Sequence, residues 1–522
     1  MMTTGGFNLG FNLGHSYAEL GDFFFSRQNP APVPNPQMVV FNHSLAAALG
    51  LSEITPEEAA AVFSGNALPP GADPIAQAYA GYQFGYFTML GDGRAVLLGE
   101  QIAPDGRRFD LQLKGSGRTP YSRQGDGYAA LAPMLREYLI SEALFYLGIS
   151  TTRSLAVVLT GQEVFRDKAL AGAVLTRVAA SHVRVGTFDY AARFGTPELV
   201  RRLCDYSIWR HFPWLEEGAG VGSENPNEML APDPAQHPAK DPQMYRRLFR
   251  EVCRLQAETI AKWQLVGFIH GVMNTDNMAI SGETLDFGPC AFMDAYNPQT
   301  VFSSIDTYGR YAYQNQPAIG AWNLSRLAED LLPLFSDDQD QAVDLAKAEI
   351  AAYWQAYDEN WLAGMRLKLG LLDKKEDTDA VLIVELLELM KEDRLDYTKT
   401  FRALCSCALS GAGQTLAASS ADKAPAALLG VPRFALWQEK WQNRLSRQHK
   451  DPVEVSSTMR RHNPAVIPRN NWVEEALSSA ENGDLTLFHT LLDVLSRPFA
   501  DPEGHSLPSD QTPQGYQTIC GT

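Results

Sequence analysis

Residues 270–288 read HGVMNTDNMAISGETLDFG and carry the strongest signal in the sequence. It contains an amide, Asn277, and a carboxylate, Asp286, on either side of a turn at Ser281-Gly282. Amide and carboxylate oxygens are hard ligands of the kind that Mg²⁺ prefers, and a bound Mg²⁺ bridges phosphate oxygens in many nucleotide enzymes. The stretch therefore predicts a magnesium site that holds ATP.

The same stretch follows the spacing of the protein-kinase catalytic loop, H-R-D-L-x-x-x-N, and of the Asp-Phe-Gly that comes after it. His270, Asn277 and Asp286 fall in register with that pattern. The position of the kinase catalytic aspartate is Val272, whose side chain cannot accept a proton from an attacking hydroxyl. Asp276 offers a carboxylate that can act as a base from another side, and His270 is expected to support the loop. Ordinary phosphoryl transfer is therefore not expected.

Lys114 ends a predicted strand, and a lysine in such a place can reach the phosphates of a nucleotide in a cleft. The strand is the second of a hairpin that begins at Ala95 and turns at Pro104-Asp105-Gly106. Glycines in the loops on both sides would let backbone N–H groups approach an anion. The candidates in these loops are Gly91, Gly93, Arg94, Asp126 and Gly127.

The apolar spacing from Leu131 to Leu147 predicts a helix after this hairpin. Glu137 on the helix can pair with Lys114 and hold it in place, as the helix glutamate of a kinase does. Glu142, on the same helix, is the alternative partner. Both acids can also simply solvate the helix, and the sequence leaves this choice open.

Arg177 and Arg184 lie seven residues apart in LTRVAASHVRVG. Guanidinium groups bind phosphate oxygens through two parallel hydrogen bonds. Together with Lys114, these arginines are expected to hold the terminal phosphate of ATP.

The order of elements predicts an α+β protein with a bilobal, protein-kinase-like fold and a cleft between the lobes. Strands and one helix come first, and helical patterns follow, including a long one from Met244 to Val266. Strand-like runs occupy 154–159 and 172–178, and the last helical run is 473–495. The predicted parts are an N-terminal extension (1–76), a β-rich N-lobe (77–195), a helical C-lobe (196–500) with a polar insertion at 217–243, and a flexible C-terminal tail (501–522).

Composition excludes several classes of partner. Forty-four basic and 61 acidic residues give a net charge of −17, which repels nucleic acids. There is no apolar run of membrane-spanning length and no signal-peptide pattern, so we expect a cytoplasmic protein without a membrane partner. The six cysteines lack the paired spacing of a zinc site and are expected to be mostly reduced.

Longer strings resemble the selenoprotein O family of protein adenylyltransferases, which have a kinase-like fold. The resemblance runs from about Gln77 to Arg326 and is carried by AGYQFGYF, LGDGRAVLLGE, LQLKGSGRTPYSRQGDGYAALAPMLREYLISEAL, HGVMNTDNM and LDFGPCAFMDAY. It implies that ATP binds in an inverted orientation, that AMP passes to a Ser, Thr or Tyr hydroxyl of another protein, and that pyrophosphate is released. It also accounts for Val272.

The resemblance implies roles for individual residues. Asp276 is the proton acceptor, Glu137 pairs with Lys114, and Asn277 and Asp286 hold Mg²⁺, with Mn²⁺ as a possible substitute. The residues implied to contact ATP are Gly91, Gly93, Arg94, Lys114, Asp126, Gly127, Arg177, Arg184 and Asp286.

Two cysteines suggest regulation. Many members of that family carry a selenocysteine or cysteine near the C-terminus, where this chain has Cys520, and Cys290 follows Asp286 by four residues. A reversible Cys290–Cys520 disulfide that gates the site is one hypothesis, and two unrelated free thiols are the other. For the function as a whole, the alternatives are a kinase that uses the γ-phosphate and a non-catalytic nucleotide-binding scaffold.

Overall fold

The computed structural model describes residues 10–51, 55–215, 241–409, 432–502, 504–508, 510, 512–513 and 515–518. Within these ranges the chain forms strands and helices in one α+β protein, as the sequence predicts. The strands are β1 (Leu13–Gly14), β2 (Phe25–Arg27), β3 (Gln37–Phe41), β4 (Ile75–Gln77), β5 (Ala80–Gln83), β6 (Tyr86–Met89), β7 (Ala95–Ile102), β8 (Arg108–Lys114), β9 (Ala129–Ala130), β10 (Arg153–Phe165), β11 (Ala169–Ala179), β12 (Phe268–Ile269) and β13 (Ala291–Phe292).

Helices dominate after β11. They are α1 (His43–Ala48), α2 (Pro56–Phe63), α3 (Leu131–Tyr146), α4 (Val185–Phe194), α5 (Pro197–His211), α6 (Pro242–Val266), α7 (Gln316–Phe335), α8 (Gln339–Lys368), α9 (Thr378–Glu392), α10 (Tyr397–Cys407), α11 (Pro432–Arg447), α12 (Pro452–His462), α13 (Asn470–Glu481) and α14 (Thr486–Leu495). No helix among the described residues is long and apolar enough to cross a bilayer.

Nine strands form one antiparallel sheet in the order β2-β4-β7-β8-β11-β10-β3, with β1 added to β7 and β9 added to β11. The predicted hairpin is confirmed as β7–β8, and its turn is closed by a bond from the Arg107 N–H to Asp105 Oδ1 of 3.0 Å. Strands β10 and β11 are longer than the predicted 154–159 and 172–178, because a bulged hairpin continues both strands past their apolar stretch. Lys114 therefore ends a central strand of the sheet.

The first 76 residues are part of this sheet. Strands β1, β2 and β3 lie in them, and β4 spans residues 75–77. The predicted division at residue 77 therefore does not follow a boundary of the sheet, because strand pairing between distant segments leaves no mark in the local pattern.

Helix α3 packs on β10 and β11 and is buried on most of its surface. Its apolar side chains join a core that continues from the sheet into helices α5 to α8. Helix α2 begins with the predicted Thr55 N-cap and has a complete capping box with Glu58. The packing of α3 places Glu137 directly under the central strands.

The long helix α6 begins at Pro242, two residues before the predicted start, and ends at the left-handed Gly267. Residues 217–240 of the predicted insertion (217–243) lie outside the described residues. The predicted helical run 473–495 is confirmed as two helices, α13 and α14, because Asn482 and Gly483 end the first. Part of the predicted flexible tail is bound, since the Thr518 N–H donates to the Phe302 carbonyl at 2.8 Å.

A buried ionic cluster joins helix α5 to the sheet. Arg210 donates to Glu100 at 2.6 Å and to Asp110 at 3.0 Å, and all three side chains are at most 2% exposed. Asp110 also binds the ring and the backbone N–H of His182. His182 and Arg210 hold the pKa of Asp110 below its usual value although burial opposes this. The cluster anchors the segment that carries Arg184.

Replacing Arg210 by methionine is expected to lower the free energy of unfolding by about 3–5 kcal/mol, because two carboxylates lose their buried cation. Arg447→Met is the matched control, since this arginine is half exposed and pairs with Glu376 on the surface. Its loss is expected to cost less than about 1 kcal/mol. Urea unfolding followed by circular dichroism measures both, and equal losses would contradict the assignment.

Candidate active site

A cavity of about 580 Å³ lies between the central strands and the loop 270–288. This volume is ordinary for a site that binds a small molecule. The structure brings eleven of the predicted residues to its wall: Gly91, Gly93, Arg94, Lys114, Asp126, Gly127, Arg177, Arg184, Asp276, Asn277 and Asp286.

One carboxylate organises the deep end of this cavity. Glu137 accepts from Lys114 Nζ at 2.6 Å and from Arg177 Nε at 2.7 Å. Lys114 also donates to Asp286 Oδ1 at 2.8 Å. Arg177 and Lys114 hold the pKa of Glu137 below its usual value, against the effect of burial. Two cations and two carboxylates thus form one connected group with both lysine and arginine held at the wall.

Glu142 is not the partner of Lys114. It accepts from Arg153 Nε and Nη2 at 2.6 Å each, and from the Asn42 amide at 2.8 Å. It therefore fastens α3 to β10 and to the residue that caps α1, on a different face of the helix from Glu137.

The loop that carries Asp286 is held from both ends. Strands β12 and β13 pair, with Phe268 opposite Phe292, so the chain before and after the loop runs side by side. His270 is buried, and its Nε2 lies 2.9 Å from the Leu285 carbonyl. Burial lowers the pKa of His270, so the neutral ring donates this bond. The expected supporting role of His270 thus has a contact that ties it to the residue before Asp286.

Asp286 itself has a left-handed backbone, with φ of 69°. Such a conformation is uncommon outside glycine, and aspartate adopts it more readily than most residues. Lys114 and Arg177 outweigh burial and hold the pKa of Asp286 far below its usual value. The carboxylate therefore stays charged at any physiological pH.

Asn277 and Asp286 fit a magnesium ion. The Asn277 amide nitrogen donates to the Val272 carbonyl at 3.0 Å, which leaves its oxygen as the polar atom at the cavity wall. Asp286 uses only one oxygen for Lys114. No group of three or more His, Cys, Asp or Glu suited to a metal occurs in the described part of the chain. Two oxygen ligands suit Mg²⁺ that is also held by substrate phosphates.

Asp276 is buried, and Gln83 is the side chain that hydrogen-bonds its carboxylate. Its Oδ1 is buried and has no hydrogen-bond partner. Burial raises the pKa of Asp276 to about 7, although Arg184 works against this. A Cβ added at Gly81 would overlap the carboxylate, and Gly186 packs against the backbone of the same residue. The carboxylate is therefore positioned by close packing and titrates near neutral pH.

Arg184 spans the cavity wall above this carboxylate. Its Nη1 donates to the Asp276 carbonyl at 3.1 Å, its Nε donates to the His182 carbonyl, and its guanidinium lies 4.1 Å from the centre of the Tyr79 ring. The remaining nitrogen, Nη2, is buried without a hydrogen-bond partner. A buried donor without a partner is costly, and a phosphate oxygen in the cavity would satisfy it.

The glycines at the wall serve chain packing. Side chains at Gly91 or Gly93 would collide with Tyr121, and one at Gly127 would collide with the backbone of Gly117. These glycines therefore allow the loops at residues 91–93 and 117–127 to pack closely. Their approach to an anion stays a prediction. Asp126 is engaged by Arg166 at 2.8 Å and 3.2 Å, at the outer part of the wall.

Sequence reasoning missed several wall residues. They include Tyr79, Gln83, Asp92, Gln112, Tyr121, Arg123 and Arg166. Gln112 has a signal in hindsight, because it lies two residues from Lys114 on the same face of β8. Arg166 has none, since only the fold brings the β10–β11 turn to the cavity.

Cys290 lies near this site without lining the cavity. The thiol is buried and donates to the Phe287 carbonyl at 3.2 Å. Burial raises its pKa to about 12. Cys520 lies outside the described residues, and no disulfide joins any two of the described cysteines.

Known proteins similar to this chain share nearly its whole length. A family profile described as "Protein adenylyltransferase SelO" matches residues 9–496. A "Protein nucleotidyltransferase YdiU" of Geobacillus kaustophilus is 54% identical, over 98% of this chain and 99% of the relative. Proteins with the same description from Brevibacillus brevis and Halalkalibacterium halodurans are 54% and 53% identical, each over 98% of both chains.

A match of this length and identity identifies the family. The eleven residues gathered at one cavity lie within the matched span. The chain therefore belongs to the SelO family of protein adenylyltransferases.

Proposed function

We propose that the chain transfers AMP from ATP to Ser, Thr or Tyr hydroxyls of other proteins and releases pyrophosphate, on a bilobal, kinase-like scaffold. The observation that carries this proposal is that Val272 stands at the position of the kinase base while Asp276 follows four residues later. The loop has lost the usual kinase base, and it keeps a buried carboxylate four residues away with a pKa of about 7. A base with this pKa is well matched to neutral pH.

The charge distribution supports binding of ATP with the triphosphate first. Lys114, Arg177 and Arg184 are each at most 5% exposed and line the same cavity. Buried cations stabilise the phosphate group with the greatest negative charge, which is the terminal one. A nucleotide held by its β- and γ-phosphates at these residues presents its α-phosphorus nearer the opening. Lys114, Arg177 and Arg184 are the proposed γ- and β-phosphate ligands.

In the proposed reaction, Asp276 accepts the proton of the acceptor hydroxyl. The hydroxyl oxygen forms a bond to the α-phosphorus, the bond from that phosphorus to the bridging oxygen breaks, and pyrophosphate leaves. Asn277 and Asp286 would hold Mg²⁺, which neutralises phosphate charge when bound. Glu137 positions Lys114, and the loops with Gly91, Gly93, Arg94, Asp126 and Gly127 complete the nucleotide wall.

A kinase that uses the γ-phosphate is the second candidate, and Val272 counts against it because this side chain is apolar and buried. A scaffold without catalysis is the third. The buried Asp276, with a pKa of about 7, counts against a scaffold, because a protein that only binds the nucleotide needs no base at that place.

The proposed division of the chain is a β-rich lobe that ends near residue 195 and a helical lobe that follows. The cavity lies where the central strands meet the loop between β12 and β13. This arrangement supports a cleft between lobes, which is where kinases bind nucleotides.

We also propose the Cys290–Cys520 disulfide as a redox gate. Thr518 Oγ1 donates to the Pro289 carbonyl at 2.6 Å, so the chain two residues before Cys520 lies against the residue before Cys290. Forming the bond removes two electrons and two protons, which a disulfide such as oxidised glutathione takes up. The high pKa of Cys290 makes the thiolate scarce at neutral pH, so oxidation should be slow.

Labelled ATP separates the three candidate functions. With α-³²P-ATP and a mixture of cell proteins, we expect label on protein, and with γ-³²P-ATP none, because pyrophosphate leaves. Asp286→Ala should lose this label while its circular dichroism spectrum stays unchanged. Label from the γ position alone would favour the kinase. Label from neither position would favour the scaffold.

The pH dependence of transfer tests the base. Asp276 works only when it has lost its proton, so kcat should rise about tenfold per pH unit below about 7 and level off above it. Asp276→Asn should lower kcat by roughly 10²–10⁴-fold and remove this dependence. Binding of ATP by the variant, measured by calorimetry, controls for a damaged site. A wild-type profile that is flat between pH 5 and 8 would refute the assignment.

Oxidation tests the gate. Treatment with oxidised glutathione should form the Cys290–Cys520 bond slowly, detectable by mass spectrometry of peptides, and AMP transfer should fall and return with dithiothreitol. Cys290→Ser should be insensitive, and Cys407→Ser should behave as wild type, since Cys407 is a buried cysteine on α10. If alkylation after the oxidation step still labels both Cys290 and Cys520, the disulfide has not formed and the gate is refuted.

A further inference from the structure

A cluster of aromatic and arginine side chains lies beside the catalytic loop, outside the nucleotide cavity. Its members are Tyr82, Phe87, Arg310, Trp322 and Arg326, which we call the arginine platform. The guanidiniums of Arg310 and Arg326 lie 4.7 Å and 5.2 Å from the centre of the Trp322 ring. Tyr82 meets the Trp322 ring edge-on at 5.6 Å and the Phe87 ring at 5.4 Å.

The platform is joined to the proposed base through the β5–β6 hairpin. The Tyr82 N–H donates to Thr275 Oγ1 at 2.8 Å, and the Phe84 N–H donates to Asn274 Oδ1 at 3.2 Å. Thr275 directly precedes Asp276 in the chain. The hairpin is therefore bonded to the loop within one or two residues of the group that would receive the acceptor proton.

An acceptor segment is long enough to reach this neighbourhood. A hydroxyl at Asp276 with three residues on each side extends over roughly 23 Å in a stretched chain. The surface around the hairpin also carries exposed tyrosines, Tyr86 at 78% and Tyr308 at 98%. Tyrosine, tryptophan and arginine are the residues most enriched at the energetic centres of protein interfaces.

The platform carries two guanidinium groups in a chain of net charge −17. A guanidinium that stacks on an aromatic ring keeps its edge N–H groups for a carboxylate. Four carboxylates of the chain lie near the two arginines: Glu329, Asp306, and the buried Asp189 and half-buried Asp330, whose pKa values burial raises against the effect of Arg326. Glu329 pairs with Arg326 at 2.6 Å and is itself half exposed, and Asp306 accepts from the Arg310 backbone N–H at 2.9 Å. An acidic ligand would therefore compete with Glu329 for Arg326.

We propose that the arginine platform docks the acceptor protein and selects segments with acidic residues next to the modified hydroxyl. The argument rests on the proposed AMP transfer only for the role of the docked segment as acceptor. The two stacked guanidinium groups and the bonds of the hairpin to the catalytic loop carry the docking surface itself.

The test uses fluorescently labelled synthetic peptides. One has a central serine flanked by aspartates, and its partner has lysines at the same positions. Fluorescence anisotropy with the full chain requires no turnover, and we expect the aspartate peptide to bind about tenfold more tightly. Glu329→Gln should strengthen this binding, because it removes the competing carboxylate.

Arg326→Gln and Arg310→Gln should each reduce the preference for aspartate, and in AMP transfer they should raise KM for the aspartate peptide while KM for ATP stays the same. Arg433→Gln is the matched control, because Arg433 is an exposed arginine on α11. Arg326→Glu should reverse the preference towards the lysine peptide, an effect that misfolding cannot produce.

Equal binding of the two peptides by the wild-type chain would overturn the docking surface, even if AMP transfer is observed. A preference that survives both glutamine variants unchanged would overturn it as well. Selective binding without any transfer of α-label would support the surface and refute the proposed reaction instead.

Discussion

The carboxylate of Glu137 is the contact on which the site depends. It binds a cation from β8 and a cation from β11, and through Lys114 it reaches the Asp-Phe-Gly segment. Removing one partner of such a buried group leaves a charge without compensation, which costs more than the pair contributes. The docking of α3 on the sheet therefore sets where the lysine, the arginine and Asp286 can lie.

The cavity gives two aspartates opposite properties. Asp286 faces Lys114 and Arg177, and its pKa falls, so it remains a charged ligand. Asp276 lies in a desolvated place with weaker compensation, and its pKa rises to about 7. Environments that separate the pKa values of two carboxylates allow one to hold charge and the other to carry a proton. Both side chains come from a single loop, so this separation is a property of the fold around it.

Much of this was readable from the sequence because the signals are local. The turn at Pro104-Asp105-Gly106, the cap at Thr55 and the spacing from His270 to Asp286 each depend on a few neighbouring residues. The choice between Glu137 and Glu142 could not be read, since both lie on one helix and only the packing of α3 separates their faces.

Contacts between distant segments also could not be predicted from the sequence. The strands supplied by the first 76 residues, the turn that brings Arg166 to the wall and the hairpin that meets Asn274 and Thr275 all depend on such contacts. The local sequence around each residue does not indicate these long-range contacts. The ionic cluster around Arg210 is a further example, since it joins residues about a hundred positions apart.

The glycines at 81 and 186 have a consequence for the reaction cycle. They let the chain close around Asp276, so steric fit locates this carboxylate together with its hydrogen bond to Gln83. A group held by bonds to its charged form would shift when it picks up a hydrogen ion. A group held by shape stays where it is in both states, so in the proposed reaction the loop has no mechanical step to undo between one turnover and the next.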